Sequence, residues 1–440
     1  MKLRKIFFIS LFFVNLAIIA FFWWQKSGSW FAYGQASILL SLGRIIGLLA
    51  VFFILTQIVL LSRIKPLERV FGFDRLARYH HYNGIVSYLF IVLHPILLVI
   101  AYGKFSEHSF WQQFVDFLNN YEDVTKAAIA LGLFSFVVVY SILIAKRKWN
   151  YELWYFTHLS VYLAVFLAYG HQLELGGDFS GNIWFQRYWM ALYAVVFVLL
   201  VYYRFFSPIL AMYKHKFQVS EVVQETYDVY SVKITGVNLK SFGITPGQYM
   251  NFRFLSKDLW WQAHLFSVSS LRDNYFQISV KALGDYTAKI KDLKQATKVF
   301  IEGPFGKFTA QPKINGKYLF IAGGIGIAPI NCLMESLSMH DKDLILIYGN
   351  KTTRDIVFKE NFDKISNQAK LKTYHVLSQE EKDGFEMGRI DSDKIRKFAP
   401  DFIQREIYIC GPVPMMDSLL ELFRKLGVPR RQIHYENFSL

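Results

Sequence analysis

Residues 78–102 read RYHHYNGIVSYLFIVLHPILLVIAY, and residues 154–171 read WYFTHLSVYLAVFLAYGH. Each is an apolar run close to the roughly 20 residues that carry a helix across about 30 Å of hydrocarbon. Each also holds a spaced pair of imidazoles, His80 with His94 and His158 with His171. Ionisable side chains inside a membrane are costly and face the interior of a bundle, so each is a functional candidate. A single such histidine also reads as one satisfied by a backbone carbonyl or serving a proton relay. The spacing favours another role. Fourteen residues separate the first pair and thirteen the second, about 21 Å and about 19.5 Å along a helix. The histidines therefore fall at two matching depths, and two imidazoles at each depth suit two haem irons with two axial nitrogens each. At 100° per residue, fourteen residues return to within about 40° of one face, while thirteen miss it by about 140°. The span carrying His171 must therefore bend, bulge or unwind at Gly170. The same phase favours His80 over its neighbour His81 as the partner of His94.

Outward from these stretches, apolar runs near 6–24, 38–61, 126–145 and 188–206 join those near 83–102 and 151–170, which makes six. Of 440 residues, 53% are hydrophobic, 18% aromatic and only 19% charged, against about 25% charged in a soluble globular chain. Mean hydropathy is +0.24. Disorder, collagen-like repeats and a disulfide scaffold are excluded. The net charge of +15 comes largely from Lys and Arg flanking apolar runs. No motif accompanies it that would make nucleic acid a partner. Two cysteines, Cys332 and Cys410, lie beyond the apolar half and suit a reducing compartment. The run Ile6 to Trp24 is too long for a signal peptide's apolar core and no small-residue cleavage site follows it, so it reads as a retained first span.

Loop charges orient the spans. Lys2, Arg4, Lys5, Arg63, Lys65, Arg69, Arg75, Arg78, Lys146, Arg147, Lys148, Arg204, Lys214 and Lys216 fall on one side; Lys26, Lys104, Lys126 and Arg187 fall on the other. Fourteen against four puts both termini in the cytoplasm of a cell (plasma) membrane protein. Arg44 stands inside the second span and needs a counter-ion, for which a haem propionate is one candidate; snorkelling to the outer interface is the alternative.

After about Met212 the texture changes to short β-type segments. Thr245-Pro246-Gly247-Gln248-Tyr249 reads as a turn into a strand. His264-Leu265-Phe266-Ser267-Val268-Ser269-Ser270 follows, then Ser279-Val280-Lys281-Ala282-Leu283-Gly284-Asp285-Tyr286-Thr287. Gly284 permits close backbone approach, Thr287 and a helix start offer donors to a pyrophosphate, and Lys281 adds charge. Later, Tyr318 to Ala322 is a buried-type strand running into Gly323-Gly324-Ile325-Gly326-Ile327-Ala328-Pro329, a strand, glycine turn and helix that present N–H groups to phosphate. Pro329 replaces the last glycine of the Rossmann pattern. Leu344 to Asn350 is a second strand, and Ile407 to Cys410 a last one, ending in Gly411-Pro412. The distal end of the chain reads Tyr435-Glu436-Asn437-Phe438.

These ordered motifs resemble the ferredoxin-reductase-type flavin barrel and its nicotinamide lobe. With six spans and paired histidines ahead of them, the chain resembles the transmembrane NADPH oxidase and ferric reductase superfamily. Pro66-Leu67-Glu68-Arg69, the Asp74-Arg75-Leu76 segment before His80, and Tyr151-Glu152 with Trp154 before His158 match that family locally. The resemblance implies three parts. An all-α six-helix transmembrane bundle (1–212) precedes an antiparallel β-barrel FAD domain (213–312) and an α/β NAD(P)H domain (313–440). It implies two haem b groups held by His80 with His158 and by His94 with His171. It implies FAD contacts from His264, Phe266, Ser267, Ser270, Lys281, Gly284, Tyr286 and Thr287, with Ser267 near flavin N5. It implies nucleotide contacts from Gly323, Gly324, Gly326, Pro329, Cys410, Gly411 and Pro412. Cys410 would lie beside nicotinamide C4, and Phe438 would stack on the flavin. The coenzyme is NADPH or NADH; Lys351 and Arg354 are available for a 2′-phosphate without deciding it.

The expected activity is transfer of electrons from cytosolic NAD(P)H through FAD and the haems to extracytoplasmic dioxygen, giving superoxide. Ferric-chelate reduction by the same path is the alternative. A haem-binding redox sensor or anchor and a membrane quinone reductase are readings from other classes. Oligomeric state, regulation and any membrane partner subunit are left open.

Overall fold

The computed structural model describes residues 2–147, 151–174, 177–179, 181–310, 316–340, 342–368 and 370–436. The chain divides into two compact units, residues 1–71 with 75–202, and residues 72–74 with 203–440.

The first unit is helical. Its elements are α1 (Lys2–Ser27), α2 (Gln35–Leu61), α3 (Lys65–Phe71), α4 (Phe73–Ser106), α5 (Phe110–Asn120), α6 (Glu122–Arg147), α7 (Tyr151–Leu167), α8 (Gly170–Glu174) and α9 (Ile183–Val201); the next helix, α10 (Ser207–His215), belongs to the second unit. Among the described residues, six helical segments are long and apolar enough to cross a membrane: Leu3–Ala32, Gln35–Leu61, Arg75–Ser106, Asp123–Ile144, Leu153–Gln172 and Ile183–His215. They overlap the six runs read from the sequence. α7 stops at Leu167, a turn covers Ala168 and Tyr169, and α8 restarts at Gly170. This interruption is what thirteen-residue spacing requires if both histidines are to face one neighbour. α5 starts from a capping box in which Ser109 and Gln112 satisfy each other's backbone N–H groups.

The second unit holds two sheets. The first is antiparallel: β1 (Gln218–Gln224), β2 (Val229–Thr235), β3 (Tyr249–Phe254), β4 (His264–Leu271), β5 (Tyr275–Lys281) and β6 (Val299–Phe305), in the order β1-β2-β5-β4-β3-β6. A bridge from Gln218 to Lys298 joins the two edges, so the sheet curls into a barrel around Phe252, Phe254, Phe276 and Ile278. The one-turn helix α11 (Asp285–Ala288) follows β5.

The second sheet is parallel and carries the rest of the chain. Its elements are β7 (Lys317–Gly323), α12 (Ile327–Ser338), β8 (Asp343–Asn350), α13 (Lys359–Gln368), β9 (Lys370–Leu377), β10 (Glu386–Met387), α14 (Ser392–Phe398), β11 (Glu406–Cys410), α15 (Val413–Lys425) and β12 (Ile433–Tyr435). The strand order is β10-β9-β8-β7-β11-β12. Apolar clusters cover both faces, as buried parallel strands require. The order reverses between β7 and β11, and the carboxyl ends of strands at such a switch point form a ligand crevice. The architecture is the expected one: a helical membrane part, an antiparallel barrel and an α/β lobe.

Candidate functional site

In the membrane part the four histidines meet in two pairs. The His80 and His158 rings are 6.2 Å apart, centre to centre, and the His94 and His171 rings 6.5 Å apart. α2 supplies the backbone contacts of two of them. The Nδ1–H of His94 donates to the Gly43 carbonyl at 2.8 Å, and that of His80 to the Gln57 carbonyl at 3.3 Å. Each bond selects the tautomer that leaves Nε2 free as a ligand nitrogen. Gly47 lets the His94 ring lie against α2, since a Cβ there would sit 2.5 Å from the ring.

A cavity of about 320 Å³ opens beside the second pair, with Arg44, Gly47, His94, His171, Gln172 and Asp178 in its wall. The Arg44 guanidinium lies over the Trp30 ring, 4.3 Å from its centre. Gln172 accepts from Trp189 Nε1 and Tyr193 Oη and donates to the Ala168 carbonyl, which ties the short α8 to α9. Among the described residues no cluster of three or more His, Cys, Asp or Glu side chains is assembled. The histidines come only as pairs.

In the parallel sheet two turns lie back to back at the β7/β11 switch point. Ala322 pairs with Cys410. A Cβ on Gly323 would meet Met415 Sδ at 2.6 Å and Pro412 Cδ at 2.9 Å, and one on Gly326 would overlap the Cys410 carbonyl. Only glycine lets the two turns approach this closely. Pro329 is buried in the first turn of α12. Cys410 is buried, and burial, with the nearby Glu436 carboxylate behind it, pushes its thiol well above the ordinary range. Cys332 is pushed up to about 12, chiefly by burial. Neither is a thiolate at neutral pH.

On the barrel side, Ser267 of β4 stands opposite Tyr249 of β3. The His264 and Tyr286 rings lie 3.8 Å apart, with Phe266 beside His264. Three expected contacts have other partners. Lys281 pairs with Asp228 at 3.2 Å. Thr287 Oγ1 accepts from the Leu283 and Gly284 amides, so those two N–H groups are satisfied within the loop. Ser270 follows a bulge in β4 and donates to Glu335 of α12 at 2.7 Å, which draws its hydroxyl into the seam with the parallel lobe. Phe438 lies outside the described residues.

Sequence reading missed Gln57, Asn83 and Glu436. Gln57 donates to the His80 carbonyl at 2.7 Å and accepts from Asn83 at 2.6 Å, clamping α2 to α4 around His80. The signal for Gln57 was an amide in an apolar span. Glu436 is buried, with a carboxylate oxygen 3.0 Å from where a Gly306 Cβ would stand; that same position is 3.0 Å from the Tyr249 ring. Ser267, Tyr249, Gly306, Glu436 and Cys410 thus form a string of neighbours from the barrel to the parallel sheet.

Comparison with known proteins matches this layout. Residues 46–169 match the family described as ferric reductase like transmembrane component, 214–309 an FAD-binding domain, and 320–420 an oxidoreductase NAD-binding domain. The reductase component of propane 2-monooxygenase from Rhodococcus jostii (strain RHA1) is 25% identical over 235 residues, 50% of this chain and 63% of that protein. The ferredoxin reductase component of 3-ketosteroid-9-alpha-monooxygenase from Rhodococcus rhodochrous is 26% identical over 231 residues, 50% of this chain and 64% of that protein. The chain thus spans less than two thirds of the length of either relative. Among solved structures, the FAD/NAD binding domain of nitric oxide dioxygenase from Vibrio cholerae is similar over 50% of this chain and 96% of its own, at 21% identity and a TM-score of 0.45. A ferric reductase-like transmembrane component followed by an FAD-binding domain and an NAD-binding domain is the NADPH oxidase/ferric reductase architecture, and the chain has these three domains in that order.

Proposed function

We propose that the chain is a transmembrane NAD(P)H oxidase that moves electrons from cytoplasmic NAD(P)H, by way of FAD and two b-type haems, to dioxygen on the far side. The two facing histidine pairs carry this reading. A metal–imidazole bond of about 2.05 Å, with the ring centre about 1.1 Å behind the nitrogen, gives ring centres about 6.3 Å apart across one metal. The observed 6.2 and 6.5 Å bracket that value. No third protein ligand is at hand among the described residues, so the remaining positions would come from the group itself, as a porphyrin supplies them. His80 with His158 and His94 with His171 would hold the two haems, and Arg44 would meet a propionate of the second.

When bound, FAD supplies the change from two-electron to one-electron carriage, and the haems supply the path across the hydrocarbon. The chain's residues do the rest. The glycine turns at 323–326 and 411–412 would hold the nucleotide phosphates and nicotinamide. Cys410, uncharged, would pack beside the reacting carbon without competing as a nucleophile. Ser267 would orient the flavin edge, Phe438 would cover the ring, and Glu436 would stand between. His264, Phe266 and Tyr286 would form the wall for the rest of FAD. Domain boundaries near 212 and 312 and cytoplasmic termini in a plasma membrane complete the reading; residue 312 lies outside the described residues.

Leu40, Leu48, Val99, Val124, Leu131 and Val165 give the cavity beside His94 and His171 an apolar wall, suited to the porphyrin that this pair would hold, and dioxygen is proposed as the acceptor it would serve, with a ferric chelate as the alternative. Each NAD(P)H would yield two superoxide, one NAD(P)⁺ and one proton. The test is cytochrome c reduction in air by purified, flavin-loaded protein given NADPH or NADH, with haem measured in the same sample. Two haems per chain and inhibition by superoxide dismutase are expected. Dismutase-insensitive reduction would move the assignment to a metal-chelate reductase, and absence of haem would overturn the electron path.

A further inference from the structure

A buried polar seam joins the barrel to the parallel lobe. Asn331, 1% exposed on α12, donates from Nδ2 to the Ser269 carbonyl of β4 at 2.9 Å and accepts from Asn361 of α13 at 2.8 Å. One turn on, Glu335 accepts from Ser270 of β4 at 2.7 Å and from Asn361 at 2.9 Å, and pairs with Arg272 at 3.2 Å. The seam continues into the barrel. Ser279 donates to Ser269 at 2.8 Å, and Ser231 lies 2.7 Å from Ser279.

Apolar contact alone lets two surfaces slide, because it has no direction. A buried hydrogen-bond network does not, since each shifted register leaves a desolvated donor or acceptor without a partner. The two ends of this brace are close to chemistry. Asn331 stands four residues beyond Ile327, where α12 leaves the glycine turn. Ser269 stands two residues beyond Ser267.

We propose that Asn331 and Glu335 are positioning residues for hydride transfer: through α12 and β4 they set the nicotinamide turn at one register against the flavin-side strand. The proposal needs only the FAD and NAD(P)H domains and is independent of the haems and of the final acceptor. Reacting atoms must come within roughly 3–3.5 Å, and a misplacement of about 1 Å can cost about 100-fold.

The test is anaerobic stopped-flow reduction of full-length, flavin-loaded protein by NADPH and NADH. Asn331→Leu and Glu335→Gln are expected to lower the limiting rate of flavin bleaching about tenfold or more. Flavin content and nucleotide Kd should stay within about twofold, and the long-wavelength absorbance of the flavin–nicotinamide complex should weaken. Arg272→Met, on a half-exposed residue, decides the matter if the buried variants do not fold, with a smaller drop of the same kind. An unchanged limiting rate in the folded variants, or a rate that falls only in step with lost flavin, would overturn the proposal.

Discussion

Arg405 shows how much of the parallel lobe rests on one buried charge. Its guanidinium bonds Asp401 at 2.6 Å and Asp343 at 2.9 Å and reaches the Tyr318 and Asp343 carbonyls, while Lys317 holds Asp401 from the other side at 2.9 Å. Burial alone would raise the Asp401 carboxyl, but the Arg405 and Lys317 bonds outweigh it and hold it down at about 2. An unfolded aspartate titrates near about 3.9. The stabilisation is therefore complete above that value and is lost as pH falls through about 2. Over that window the lobe should lose about 2 kcal/mol, read as hydrogen exchange of the β7 and β11 amides in the full chain, and Asp401→Asn should abolish the step. None of these partners is near in sequence to all the others. The same holds for Glu436, whose place beside Cys410 no local pattern announced.

At the scale of elements, the histidine spacing foretold that the span holding His171 could not be a continuous helix, and α7 and α8 are separated by a turn at Ala168 and Tyr169. What no spacing could foretell is the part played by α2, whose carbonyls at Gly43 and Gln57 receive His94 and His80. Gly47→Val tests that role. The new Cβ would stand 2.5 Å from the His94 ring, whereas helix propensity changes in its favour, by less than about 1 kcal/mol. On the proposed reading, haem content should fall from two per chain towards one. The remaining haem should keep a six-coordinate, low-spin spectrum, because His80 and His158 are untouched. Retention of both haems would remove Gly47 from the account.

For the whole molecule, the proposed direction of electron flow depends on orientation, and orientation on loop charge. Outward movement of an electron along an inside-negative potential gains about 2.3 kcal/mol per 100 mV. Cysteine labelling checks the sidedness with little background, because Cys332 and Cys410 are both buried. Lys104→Cys, at an exposed position at the end of α4, should react with an impermeant maleimide in intact cells. Lys214→Cys, exposed on α10, should react only after permeabilisation. The reverse result would invert the electron path.

The sequence by itself determined the number of spans, the paired histidines and the two kinds of sheet. Each rests on a periodicity or a short contiguous motif: apolar length, a thirteen- or fourteen-residue step, a glycine turn after a buried strand. Only the tertiary structure decided which backbone carbonyls receive the histidines, that Lys281 and Thr287 are engaged by their own neighbours, and that Ser270 and Asn331 belong to one brace. These depend on side chains that are distant in sequence and meet only when helices and sheets pack. Their partners are chosen by the cost of burying a polar group unpaired, and no local pattern records that cost.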